Sequence, residues 1–250
     1  MIKIIQTNHF VNQEVTNNFS KGCGGQKISV DKYSFNQNDT IATYGILRGT
    51  EIILKKAENY YYIDHGYFES SKRKFEKTGT TSIENLSGYF RIVKNDLIHD
   101  GSGNYDEIRL KKLKINFKEI RKKGDFIIIS EPSDFVKNFY NLKNWTQNTI
   151  EKLKNKTDRK IFVHNKNSPI PLDRLLQNAW AFVSFHSTGG FKSMINGVPA
   201  HFTHKKLQSI NSIENIESGQ IDYKIFNNLS YGQWTLNEMK SGEAWEKMQK

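Results

Sequence analysis

Cysteine is almost missing from this chain: Cys23 is the one thiol in 250 residues. An internal disulfide is therefore excluded, and a reducing, cytoplasmic compartment is expected. Long apolar runs are missing too. The opening MIKIIQTNHF is too short in its apolar part for a signal peptide, and no later run is long enough to span a membrane. No internal repeat, low-complexity tract, GxSxG, Walker A or dinucleotide GxGxxG pattern occurs. The histidines lack metal-ligand spacing with acids or cysteine; even His201 and His204 fall on a strand-to-loop stretch, so no metal site is expected.

What is present is an ordered composition, with 36% apolar residues, 16 Phe and 11 Tyr. The net charge is +11. Residues 1–118 hold 18 Lys+Arg against 13 Asp+Glu, and residues 119–250 hold 19 against 13, so the excess runs through both halves. Abundant Lys and Asn also follow from an AT-rich genome, which leaves a polyanion-binding surface and a merely basic protein both open. The densest segment is Arg109–Lys123, eight basic residues against Glu119. Leu110, Leu113, Phe117 and Ile120 recur there at helical spacing, predicting an amphipathic helix with its lysines outward.

Short unpunctuated apolar runs at Ile2–Ile5, Ile41–Leu47, Tyr60–Ile63, Tyr89–Val93, Phe126–Ile129, Ile161–Val163, Ala181–Val183 and Ala200–Phe202 read as buried parallel strands. Helical stretches separate several of them: Phe135 to Trp145 continuing through Leu153, Asp173 to Ala179, and Gly190 to Ile195. Near the end, Thr235 with Glu238 forms a capping-box pattern, and Gly242 interrupts the helix it starts. Alternating strands and helices predict an α/β class. A division near the basic segment gives units 1–117 and 118–235, with residues 236–250 as a C-terminal helix packing back on the first, and a crevice between two lobes. The glycines of Gly22–Gly25 read as a flexible loop.

The most informative segment is Trp180–Ala200, WAFVSFHSTGGFKSMINGVPA. It reads as strand, polar turn, helix, stop and next strand, with the turn where a parallel sheet keeps its ligand crevice. Amides at a glycine-bearing helix start make an anion site, so a phosphate-bearing ligand is expected at Ser187, Thr188, Gly189 and Gly190. Plain helix capping by Ser187 and Thr188 is compatible with that role. On the other half, Asp64-His65-Gly66 ends the apolar run Tyr60–Ile63 and sits at a rim.

The stretch STGGFKSMINGVP from Ser187 to Pro199 resembles the donor-binding signature of two-domain GT-B glycosyltransferases. TDRKIFVHNK (Thr157–Lys166) resembles the basic strand that precedes it. ATYGILRGTEIILKKA, YYYIDHGYF and the closing LSYGQWTLNEMKSGEAW are similar to phage-encoded GT-B-like proteins. The resemblance implies two Rossmann-like lobes facing a central cleft, in a compact version. It also implies a nucleoside-diphosphate sugar donor, UDP-linked, and no cofactor. Donor binding would fall to Arg159, His186, Ser187, Thr188, Gly189, Gly190 and Lys192. Asp64 would be the general base for the acceptor hydroxyl, with His65 the second choice. Gly45, Arg48, Lys72, Arg73 and Lys74 would meet the acceptor, a hydroxymethylated base in duplex DNA. A surface glycan as acceptor, and a non-catalytic DNA-binding protein on a degenerate fold, are the alternatives. One departure stands out: many such donor sites carry a glutamate where Lys192 stands, and a lysine accepts no hydroxyl hydrogen bond.

Overall fold

The computed structural model describes residues 1–70, 72–75 and 81–249, with 72–75 and 81–85 described through their backbone alone. The strands are β1 (Lys3–Gln6), β2 (Gln26–Ser29), β3 (Thr40–Tyr44), β4 (Asn59–His65), β5 (Lys72–Phe75), β6 (Thr81–Asn85), β7 (Phe90–Lys94), β8 (Phe126–Ser130), β9 (Lys160–His164), β10 (Ala179–Ser184), β11 (Ala200–Phe202) and β12 (Gln233–Trp234). The helices are α1 (Phe10–Cys23), α2 (Thr50–Lys56), α3 (Ile108–Lys112), α4 (Asp134–Tyr140), α5 (Trp145–Lys154), α6 (Leu172–Leu175), α7 (Thr188–Ile195), α8 (Ile225–Tyr231), α9 (Leu236–Ser241) and α10 (Glu243–Met248). The class is α/β. Two compact units divide the chain: residues 1–99 with 229–250, and residues 100–228. The position 117/118 lies inside the second.

The first unit is a six-stranded sheet in the order β12-β7-β4-β3-β1-β2. β1 pairs in parallel with β2 and β3, and β3 with β4, while β7 runs antiparallel to β4 and to β12. One core joins Val15 and Phe19 of α1, Tyr61 and Ile63 of β4, Phe90 of β7, and Trp234, Met239 and Ala244 from the returning C-terminal segment. Thr235 and Glu238 make the capping box, and Gly242 separates α9 from α10 at φ 90°. The glycines near Cys23 are not a flexible loop. Gly22 belongs to α1, and Gly24 closes it in the left-handed conformation at φ 67°.

The second unit is an all-parallel sheet in the order β11-β10-β8-β9. α5 covers one face through Trp145 and Leu153, which pack on Ile127, Ile129, Ala181 and Val183. α7 packs closely on the sheet through Gly190, whose added Cβ would lie 2.7 Å from the rigid Phe202 ring. Gly190→Ala should therefore cost about 1–3 kcal/mol by overpacking; an unchanged denaturant midpoint would show that the helix has room. Gly197 ends the following turn at φ 75°, and a side chain there would overlap the carbonyl of Glu119.

The basic segment departs from the helix predicted for it. α3 stops at Lys112, Lys114 sits at φ 50°, and residues 115–119 are irregular. The chain instead bonds to the end of α7, from Lys118 N–H to Ile195 O and Arg121 N–H to Gly197 O. Phe117 leaves the helical periodicity to pack edge-on against Tyr223 and Phe226. The long helix over 135–153 is likewise two, broken where Asn141 and Asn144 turn left-handed.

Candidate functional site

In the second unit the connection from β8 passes to β9 on one side, and the chain then crosses to β10 on the other. Beyond the carboxyl ends of β8 and β10, which pair Ser130 with Ser184, lies the switch point where open parallel sheets bind ligands. Glu131 follows β8 there, and Phe185, His186 and Ser187 follow β10.

Ser187 caps α7, an eight-residue helix, with its hydroxyl accepting from the Gly189 amide at 3.1 Å. The Ser187 amide donates to Ser184 Oγ, and the Gly190 amide to the Ser187 carbonyl. The cap thus uses the amides of both glycines, which the sequence had offered to a ligand. Thr188, at the first helical position, supplies the remaining amide and a hydroxyl, at the positive end of the helix dipole. Gly190 faces the sheet.

Three other donor-side candidates go elsewhere. His186 is 9% exposed and packs among the rings of Tyr140, Phe185 and His204, at centroid distances of 5.1, 5.0 and 5.7 Å. Lys192 ion-pairs with Asp173 on α6 at 2.7 Å, on an exposed surface where such a pair contributes about 0–1 kcal/mol. Arg159 precedes β9, at the amino edge of the sheet, so a five-residue strand of roughly 16 Å separates it from the level of the Ser187 turn. It is fixed there by Glu217, by the Gly124 carbonyl and by stacking 4.1 Å above the Trp180 ring. Arg159 therefore cannot grip a diphosphate at α7.

Glu131 was not singled out from the sequence. Its carboxylate accepts from Lys137 Nζ at 2.8 Å, Thr146 Oγ1 at 3.2 Å and Asn165 Nδ2 at 3.2 Å. The Lys137 contact, ahead of the opposing cost of burial, holds this carboxyl below its usual range. The signal was its place directly after the apolar run of β8.

The first unit has its own switch point, between β1 and β3. Asn12 bridges the two strand ends, accepting from the Thr7 amide and donating to the Tyr44 carbonyl. The loop from β3 to α2 carries Gly45, Arg48 and Gly49 at φ 77°, 60° and 93°. Gly45 borders open space, Arg48 is exposed, and both acceptor-side candidates thus share one rim. Lys72, Arg73 and Lys74 lie on β5, and their side chains are outside the described residues.

Asp64 and His65 do not act side by side. Adjacent positions of a strand point to opposite faces. Asp64 sits directly across from Arg91 in the β4–β7 register and pairs with it at 3.0 Å. Its Oδ2 also accepts from the Tyr62 hydroxyl, and its Oδ1 from the His65 amide. Burial pushes the Asp64 carboxyl up, yet the Arg91 charge with its other partners outweighs this and holds it below the ordinary carboxylate value. A carboxylate stabilised in its charged form by an adjacent guanidinium is a poor proton acceptor. His65 lies on the α1 face, stacked on Phe90, with Nε2 3.1 Å from the Tyr44 hydroxyl. Arg91 holds it from behind, donating to the His65 carbonyl at 2.6 Å.

Two of the three comparisons with known proteins are empty: no family model matches the chain, and no curated protein does. Solved structures are similar at a distance. Among them is the Thermosulfurimonas dismutans KpsC beta Kdo 2,4 transferase, 8% identical, covering 92% of this chain and 90% of that one with a TM-score of 0.49. No helix among the described residues is long and apolar enough to cross a membrane.

Proposed function

We propose that the chain is a glycosyltransferase that moves a sugar from a UDP-linked donor to a hydroxyl acceptor. The observation that carries this reading is the Ser187–Thr188 turn, a capped helix start at the switch point of a parallel sheet. There the Thr188 amide and hydroxyl and the helix dipole would stabilise charge building on the departing diphosphate. On the acceptor side His65 replaces Asp64 as the group that meets the hydroxyl, and the Asp64–Arg91 pair positions it. Gly45 and Arg48 would border the acceptor.

A hydroxymethylated base in duplex DNA is the acceptor we favour. Charge supports it: the second unit holds 21 Lys+Arg against 13 Asp+Glu, a net +8, leaving +3 for the first. Binding to duplex DNA should then weaken steeply with added salt, because releasing condensed counterions into a saltier solution gains less free energy. A flat salt response with donor turnover intact would favour a glycan acceptor.

The donor test uses Thr188→Pro. Proline is favoured at the first helical position, and Ser187 before it is already extended at ψ 137°, so the helix should survive. The substitution removes both the amide and the hydroxyl, and UDP affinity by calorimetry should fall about tenfold or more. UDP binding equal to wild type would remove the turn from the site; no UDP or UDP-sugar binding by the wild type would sink the enzyme reading.

A further inference from the structure

A sugar nucleotide needs hydroxyl acceptors in its site as well as donors for its phosphates. Lys192 is a donor only, and it is engaged with Asp173. We infer that Glu131 supplies the missing function, accepting a hydroxyl of the bound sugar nucleotide through Oε2. This rests on the donor reading above and names the residue that would select the ligand.

Position is the first support. Glu131 is the first residue beyond β8, on the rim next to the strand end from which the Ser187 turn departs. Its side chain is 25% exposed, which leaves it open to a ligand at the switch point. Preorganisation is the second. Oε1 accepts from Lys137 and Thr146, whereas among the described residues Oε2 accepts from Asn165 alone. A carboxylate has about four acceptor sites, so its orientation is fixed on three sides while Oε2 keeps capacity. The donors come from α4, α5 and the loop after β9, which pins the group from separate elements. Electrostatics is the third. A bare carboxylate near a diphosphate would repel it, and the Lys137 ammonium at 2.8 Å offsets that charge without filling Oε2.

The hydroxyl belongs either to the ribose or to the transferred sugar, and calorimetry with UDP, 2′-deoxy-UDP and UDP-glucose separates them. A ribose contact predicts that wild type binds UDP about tenfold more tightly than 2′-deoxy-UDP, and that Glu131→Gln abolishes this preference. A contact to the sugar predicts instead that Glu131→Gln removes an advantage of UDP-glucose over UDP. Lys137→Met keeps the carboxylate but removes the offsetting ammonium, so it should weaken binding of all three ligands through their shared diphosphate while a preference between them persists. Melting temperatures of both variants check that the fold persists; should Glu131→Gln not fold, Glu131→Asp, which draws the carboxylate back by one methylene, reads the same preference. Wild-type binding of UDP with both preferences unchanged in the Glu131 variants overturns the inference and leaves the donor reading standing. Absence of binding to all three ligands overturns both.

Discussion

Arg91→Met should destabilise the first unit by about 3–5 kcal/mol, because it leaves the Asp64 carboxylate in a largely buried site without its counter-charge. Arg91 is 8% exposed and reaches three groups, the Asp64 carboxylate and the carbonyls of His65 and Leu97. The double variant Asp64→Leu/Arg91→Met should recover most of the loss, since replacing a buried pair with apolar groups is often near neutral. Urea melts of the two singles and the double measure the coupling; a double variant as unstable as the sum of its singles would contradict the pair. The sign of the pH dependence follows from the same contact. Asp64 is held below its unfolded value, so its contribution is complete above the ordinary carboxylate range and is lost as pH falls through the lower folded value. In the double variant this acid-side loss should shrink. If the double variant folds yet the proposed transfer activity falls, the pair matters through the placement of His65.

Gly22→Val should cost about 3 kcal/mol or more, at the upper end of overpacking, by driving α9 off α1. An added Cβ at Gly22 would overlap the Met239 carbonyl oxygen and lie 3.0 Å from the backbone of Gly242. Backbone atoms at the end of a capped helix cannot swing aside as a side chain can. Gly24 is the control. It borders open space but has φ 67°, so Gly24→Asn, a residue that tolerates the left-handed region, should melt close to wild type. Equal melting of the Gly22 and Gly24 variants would show that the helices are not in close contact at this seam.

Each apolar run identified in the sequence overlaps a strand, and for β1, β3, β8, β10 and β11 burial explains the lack of polar alternation. Two differ from the buried parallel strands expected: β7 is antiparallel to both neighbours, and β9 is an edge strand with Phe162 and Val163 exposed. β2 has no such run: it is an edge strand with three of its four residues exposed. α1 escaped because Asn12, Thr16 and Ser20 line its buried side, where a helical pattern is expected to be apolar. Asn12 is there to bridge two strand ends, which no local rule announces. The basic segment misled in the opposite way, with helical spacing undone by Lys114 and by the ring contacts of Phe117. Within the candidate site, the Ser187 turn was legible since cap, turn and helix are contiguous. The pairing of Asp64 with Arg91 depends on strand register across 27 residues, and the grip on Glu131 draws on three separate elements. Arg159 shows the same limit, because a charge near a motif in sequence can sit at the other edge of the sheet.

The first unit is discontinuous, and that sets an order of events on the ribosome. Residues 100–228 emerge as an uninterrupted stretch, so the second unit has all its parts while the first still lacks β12, α9 and α10. Until Gln233 and Trp234 arrive, β7 presents a bare edge and the ring of Phe90 lacks its indole neighbour in the core. The nascent chain therefore carries the first unit without its last strand while the second is synthesised, and the second unit is the first to have all its parts.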